Sequence, residues 1–134
     1  MYKRIKIGSR ITNIRIVENA IDSATSEIGI STDNYGKILV STLEAVNNAI
    51  LHGNNSDPDK IVEILISFKN SELTITVKDE GMGFIPEKVP DPTIPENLES
   101  INGRGVFLMS HLADKLSFNK KGNAVKMIFK NVLT

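Results

Sequence analysis

Val62, Ile64, Ile66 and Phe68 are apolar at every second position, as are Leu73, Ile75 and Val77, and only Asn70-Ser71 and a few polar neighbours separate the two runs. Side chains along a strand alternate between faces, so each run presents its apolar residues to one side. A short polar break between two such runs predicts a hairpin. A sheet that is apolar on one face needs a cover on that face, which fixes the class of fold before any other residue is considered.

The cover is legible upstream. From Thr12 to about Ile28, Ile14, Val17, Ile21 and Ile28 recur at helical spacing, with Thr12 or Asn13 able to cap. A second helix is predicted from about Thr32 to Leu51, opened by Ser31 or Thr32, closed near Gly53, with Leu39, Leu43, Val46 and Ile50 as its apolar stripe. Residues 3–7 read as a short strand and Asn54 to Asp59 as a turn cluster. Gly105 to about Asp114 reads as a helix, and Leu116–Asn119 with Ala124–Lys130 as a second hairpin across Lys121-Gly122-Asn123. The order β-α-α-β-β-loop-α-β-β predicts an α+β two-layer sandwich, its helices on one face of a mixed, mostly antiparallel sheet. The loop, residues 85–102, holds four of the five prolines and no period. Loops of that length in a small domain are functional or disordered.

A chain of 134 residues fits one domain, 1–134, and can bury about two-thirds of its unfolded surface without disulfide or structural metal. Lys+Arg and Asp+Glu are both 16, a balance that argues against direct nucleic-acid binding or an anionic membrane surface. The absence of cysteine excludes Cys-ligated zinc and thiol nucleophiles. The N-terminus alternates charged and apolar residues, unlike a signal peptide, and no apolar run nears the roughly 20 residues of a membrane span. The expected compartment is the cytoplasm, where the Asn54-Asn55-Ser56 sequon is incidental.

Three constellations carry chemistry. On the second helix Glu44, Asn48 and His52 are spaced i, i+4, i+8 and so share a face, with Asn47 at its edge. Glu44 alone reads as a solvated residue. Two adjacent asparagines deep in a helix are unfavourable there, and point to a site needing neutral oxygen ligands. Mg²⁺ takes oxygen ligands, usually one or two from protein and the rest from water and phosphate. One Asn amide suits that, and Glu44 one turn earlier could polarise a hydroxyl or water. The second constellation is Asp79-Glu80-Gly81-Met82-Gly83 at a strand end. The ionised Asp79 carboxylate only accepts hydrogen bonds, as an exocyclic amine such as adenine N6 requires, and the glycines allow close ligand approach. A plain Asp-Gly turn is the competing reading. The third is Asn102-Gly103-Arg104-Gly105-Val106, a glycine turn entering a helix, where free N–H groups favour an anion. It is neither a Walker loop nor a dinucleotide fingerprint. The two histidines, His52 and His111, do not make a zinc site.

In order and spacing these pieces resemble the GHKL (Bergerat-fold) ATPase and kinase superfamily. Glu44-Ala45-Val46-Asn47-Asn48-Ala49 resembles its N box, Asp79 to Gly83 its first glycine box, and Gly103-Arg104-Gly105-Val106 its second, with residues 85–102 between them as an ATP lid. Within it, the run Ser41 to Gly53 looks most like the anti-sigma-factor serine/threonine kinases of bacterial partner-switching systems. The resemblance implies ATP and Mg²⁺ as cofactors. It implies that Asn48 holds the metal, Glu44 acts as base and Asp79 reads adenine. Gly81 and Gly83 would let the chain approach the nucleotide, and Gly103 and Gly105 would offer amides to phosphate, with Asn47, Arg104 and Val106 in supporting contact. The implied function is a protein serine/threonine kinase that binds a sigma factor and phosphorylates an anti-anti-sigma antagonist; a homodimer is suggested by the resemblance alone. Residues 89–103 carry no Lys or Arg, unlike many such kinases. Two alternatives stay open: an ATP-dependent regulatory binding module without phosphotransfer, and a histidine-kinase-like ATPase domain acting in trans.

Overall fold

The hairpin read from the alternation lies at the centre of the sheet. A computed structural model describes residues 1–81 and 109–134. In it β2 (Ile61–Lys69) pairs antiparallel with β3 (Glu72–Lys78), Lys69 opposite Glu72. The two turn residues, Asn70 and Ser71, both have positive φ, 54° and 63°. This is the conformation that lets a two-residue loop follow the strand twist, and Asn tolerates it better than most. β1 (Tyr2–Gly8) adds to the outer edge of β2, β5 (Ala124–Phe129) to β3, and β4 (Lys115–Phe118) to β5, in the order β1-β2-β3-β5-β4.

The α+β sandwich with a mostly antiparallel sheet is found as expected, and every pairing among these strands is antiparallel. The reason lies in the connections. Two hairpins join four of the strands, and between β1 and β2 the chain makes two helical passes, which return it in the opposite sense.

Ile7, Val62, Ile64, Ile66, Leu73, Ile75, Val77, Val125, Met127 and Phe129 are buried on one face of the sheet. They form one core with Val17, Ile21 and Ala24 of α1 (Ile14–Ile28) and with Ile38, Ala45 and Val46 of α2 (Thr32–Asn48). The other face carries Arg4, Lys6, Glu63, Thr74 and Thr76, all at least partly exposed. α1 begins two residues later than expected, after a 3₁₀ turn over Ile11–Asn13. No side chain caps it: the Asn13 amide donates to Gly8 O at 2.9 Å, tying the helix start to the end of β1. It ends on Gly29 in the left-handed region, φ 83°. α2 opens as expected on Ser31, whose Oγ accepts from Asn34 N at 3.4 Å.

The buried face of α2 differs from the expected stripe. Ile38, Ser41, Thr42, Ala45 and Val46 are buried, while Leu39 and Leu43 are only partly covered. Small residues bring the helix axis close to the sheet, and the larger leucines then fall to the flanks.

Candidate functional site

α2 stops at Asn48 because the next turn widens. Ala49–Gly53 form a π-helical turn, closed by Asn54 N donating to Ala49 O at 2.8 Å. Such single turns sit frequently at functional sites. His52 lies within this turn and is exposed. Glu44, Asn47 and Asn48 are each partly exposed on α2.

The π turn delivers Gly53 against the end of β3. A Cβ built on Gly53 would lie 2.2 Å from Asp79 Oδ2 and 2.8 Å from Oδ1; one on Gly81 would lie 2.0 Å from Gly53 O. Neither glycine is among the positive-φ residues, so contact and not backbone conformation demands glycine here. Asp79, Gly81 and Gly53 thus touch, and Asn48 stands one helical turn before Gly53.

Asp79 Oδ1 accepts from Gly81 N at 2.8 Å, and the residue is partly exposed. Burial pushes its carboxyl above the usual carboxylate range, against the lowering effects of the Gly81 N–H and of Lys121 and Lys60. A half-desolvated acceptor with one oxygen engaged by backbone is suited to a neutral N–H donor.

Two buried asparagines flank this segment. Asn54, with no exposed surface, donates through Nδ2 to Ser9 Oγ (2.8 Å) and Ile61 O (3.1 Å), and its Oδ1 accepts from Glu80 N at 2.8 Å. The Glu80 carboxylate in turn accepts from Ile61 N. On the other side Asp79 N donates to Asn123 O at 2.9 Å, and Asn123 Nδ2 donates to Asp79 O at 3.0 Å. Gly53, Asn54 and Asn123 were not legible as site residues, because all three lie in stretches that read as turns. The burial of Asn54 also keeps the sequon's acceptor amide from any glycan.

On α2, Glu44, Asn47 and Asn48 carry side-chain oxygens at partly exposed positions. Among the described residues no three His, Cys, Asp or Glu side chains converge as a metal cluster. A divalent ion beside Asn48 would therefore take most of its ligands from phosphate and water, which fits Mg²⁺. The Ser41 and Thr42 hydroxyls of α2 are buried without a hydrogen-bond partner among the described residues. Gly83, Gly103, Arg104, Gly105, Val106 and the loop 85–102 lie outside the described residues; of the third helix, residues 109–112 are seen as helical.

Residues 7–129 match the family of histidine kinase-like ATPase domains. The chain belongs to that family. Membership implies ATP as the ligand and an ATP-dependent, kinase-like activity, and the Gly53–Asp79–Gly81 contact is where this ATPase-type domain shows a closed-in acceptor. Among curated relatives, the anti-sigma F factor of Geobacillus stearothermophilus is 29% identical over 123 residues, 89% of this chain and 83% of that protein. That of Geobacillus sp. strain WCH70 is 32% identical over 101 residues, covering 73% of this chain and 68% of the relative. The anti-sigma F factor of Clostridium perfringens strain SM101 is 28% identical over 131 residues, 95% and 93% of the two chains. A solved structure of the RsbU and RsbW domains of a Mycobacterium tuberculosis protein superposes with TM-score 0.71 at 15% identity. It covers 97% of this chain, which spans 32% of that longer one, and the likeness is one of fold. This kinase-like ATPase domain is thus a member of the anti-sigma regulatory group. No described helix is long and apolar enough to cross a membrane.

Proposed function

We propose that residues 1–134 act as one Mg·ATP-binding kinase domain that binds a sigma factor and phosphorylates a serine or threonine of an anti-anti-sigma antagonist. The observation that carries this reading is the Asp79 carboxylate, packed against Gly53 and Gly81 at the end of the helix that bears Glu44 and Asn48. Asp79 accepts from the adenine amine. The Asn48 amide oxygen holds Mg²⁺, and Asn47 supports the same edge. Glu44 would take the proton of the attacking hydroxyl as its oxygen bonds the γ-phosphorus and the bond from that phosphorus to the β–γ bridging oxygen breaks, with ADP as the leaving group. Bound Mg·ATP supplies the phosphoryl group and neutralises the charge that builds on it. Gly83, Gly103, Arg104, Gly105 and Val106 belong to this reading through their motifs. The relatives' name, anti-sigma F factor, supports the partner class.

Transfer of ³²P from γ-labelled ATP to a purified single-domain antagonist tests the activity, with Asn48→Ala as the site variant. Labelled antagonist is expected with the native chain, and loss of Mg²⁺-dependent ATP binding in the variant. ATP binding without any transfer would favour the regulatory binding module, a reading to which residues 89–103, lacking Lys and Arg, lend support. Unchanged Mg·ATP affinity in Asn48→Ala would remove that residue from the site.

A further inference from the structure

Asp79 is held from two sides by elements distant in sequence. Asn54 comes from the turn after α2 and fixes the Glu80 N–H. Asn123 comes from the β4–β5 hairpin and brackets Asp79 itself: its backbone carbonyl accepts from the Asp79 N–H, and its side-chain Nδ2 donates to the Asp79 C=O, the bond that Asn123→Ala removes. Both are buried, at 0% and 7% exposure, and both have their amides satisfied. Asn123 Oδ1 accepts from Asn119 Nδ2 at 2.7 Å. The Asn119 Oδ1 in turn accepts the N–H groups of Gly122, Asn123 and Ala124 at 2.8, 3.0 and 3.1 Å. A buried amide is tolerated only when its partners are in place. Two of them on opposite sides of one peptide segment therefore leave that segment a single position.

We propose that Asn54 and Asn123 are positioning residues for purine recognition: by clamping the Asp79–Glu80 backbone they aim the Asp79 carboxylate and set the preference for 6-amino over 6-oxo purine nucleotides. The carboxylate rests on the Gly53 Cα with one oxygen tied to Gly81 N, so its direction follows the backbone at 79–81. A 6-amino group donates to a carboxylate; a 6-oxo group presents a second acceptor and is repelled. That discrimination survives only while the carboxylate cannot swing away. Asn119, which is exposed and touches neither Asp79 nor Glu80 in any hydrogen bond, acts one step further out by holding Asn123. The inference rests on Asp79 reading the base, as proposed above.

The test is the ratio of ATP to ITP dissociation constants, measured calorimetrically with Mg²⁺ on the full chain. A variant that merely lowers the folded fraction weakens both nucleotides alike and leaves the ratio unmoved. The native protein is expected to favour ATP by on the order of 10–100-fold, the value of one hydrogen bond to a charged group. Asn123→Ala and Asn54→Ala should cut that ratio at least about five-fold and Asn119→Ala at least about two-fold, since loosened backbone relaxes the hydrogen bond. Asn119→Ala is a surface change and keeps the test open if the buried variants do not fold. A preserved ratio in Asn119→Ala and in whichever buried variants fold, with lowered Tm, would make the asparagines structural ties only. A ratio near one in the native chain, or one unmoved by Asp79→Asn, would instead overturn Asp79 as the base reader, and the clamp with it.

Discussion

Gly53→Ala puts the contact between the π turn and the strand end to the sharpest test. The added methyl would sit 2.2, 2.3 and 2.8 Å from Asp79 Oδ2, Cγ and Oδ1. Ordinary contact begins near 3.4 Å, so the nearest oxygen is about 1.2 Å too close (3.4 less 2.2). Turning the carboxylate about its own axis gives no relief, because all three atoms are within the limit. The side chain has to leave its rotamer or the backbone has to shift, and either breaks the bond from Gly81 N. Overpacking of this kind costs about 1–3 kcal/mol of stability. Losing a hydrogen bond to a charged acceptor costs ATP affinity about 1.5–3 kcal/mol, roughly 10–100-fold. Calorimetric titration with ATP and thermal unfolding read the two effects. Gly36→Ala is the control, since nothing lies within 4 Å of its added methyl and the residue is inside α2. It should gain about 0.5–1 kcal/mol and bind ATP normally. Native ATP affinity in Gly53→Ala would refute the reasoning, because the carboxylate would then be dispensable or placed elsewhere when ligand is bound.

Glu44→Gln should retain ATP and slow phosphoryl transfer by about 10²–10⁴-fold, read as initial rate with saturating antagonist. Near-native transfer would return Glu44 to the solvated helix face. Asp79→Asn should stabilise the unliganded chain at neutral pH, and the gain should shrink as pH falls through the raised folded-state pKa and be gone below the ordinary carboxyl value of 3.8. The folded state raises this pKa, so it binds the proton more readily than the unfolded chain. The group's contribution is therefore complete at low pH and is lost as pH rises through the folded pKa. Tm measured from pH 3 to pH 8 checks this, and a gain that grows on acidification would reverse the sign and refute it. Thr42→Val removes a buried hydroxyl that has no partner among the described residues, so unfolding in urea should show a gain of about 1 kcal/mol. A loss of similar size would show that the hydroxyl has a partner.

The sheet was legible where one rule acts alone. Val62, Ile64 and Ile66 alternate because one face is wet, and the structure buries those three. Of the α2 stripe, Val46 and Ile50 are buried as expected, whereas Leu39 and Leu43 were misplaced because hydrophobicity was used as the sign of burial. Leu39 and Leu43 outrank Ser41, Thr42 and Ala45 on any such scale, yet the small residues lie inward because the helix packs close. Asp79 and Gly81 could be found from their spacing, since both lie in one short run. Gly53 could not be joined to them, because 25 residues lie between it and Asp79 and only the π turn brings it across. Asn54 and Asn123 have the composition of turn residues, and burial alone distinguishes them from the exposed Asn55 and Lys121 nearby.

The π turn also limits how this chain can drift through evolution. It holds five residues between Asn48 and Asn54, and its closing bond fixes that number. Deleting one residue would restore a regular α-turn and rotate everything after it by about 100°. Gly53 would then point away from Asp79, and Asn54 would lose Ser9, Ile61 and Glu80 together. Ser56 N donates to Ile50 O at 2.7 Å, so the tie extends to Ser56, after which residues 57–59 are a mostly exposed surface turn. Across homologous chains the interval from Asn48 to Ser56 should therefore keep a constant length, while insertions and deletions gather beyond it.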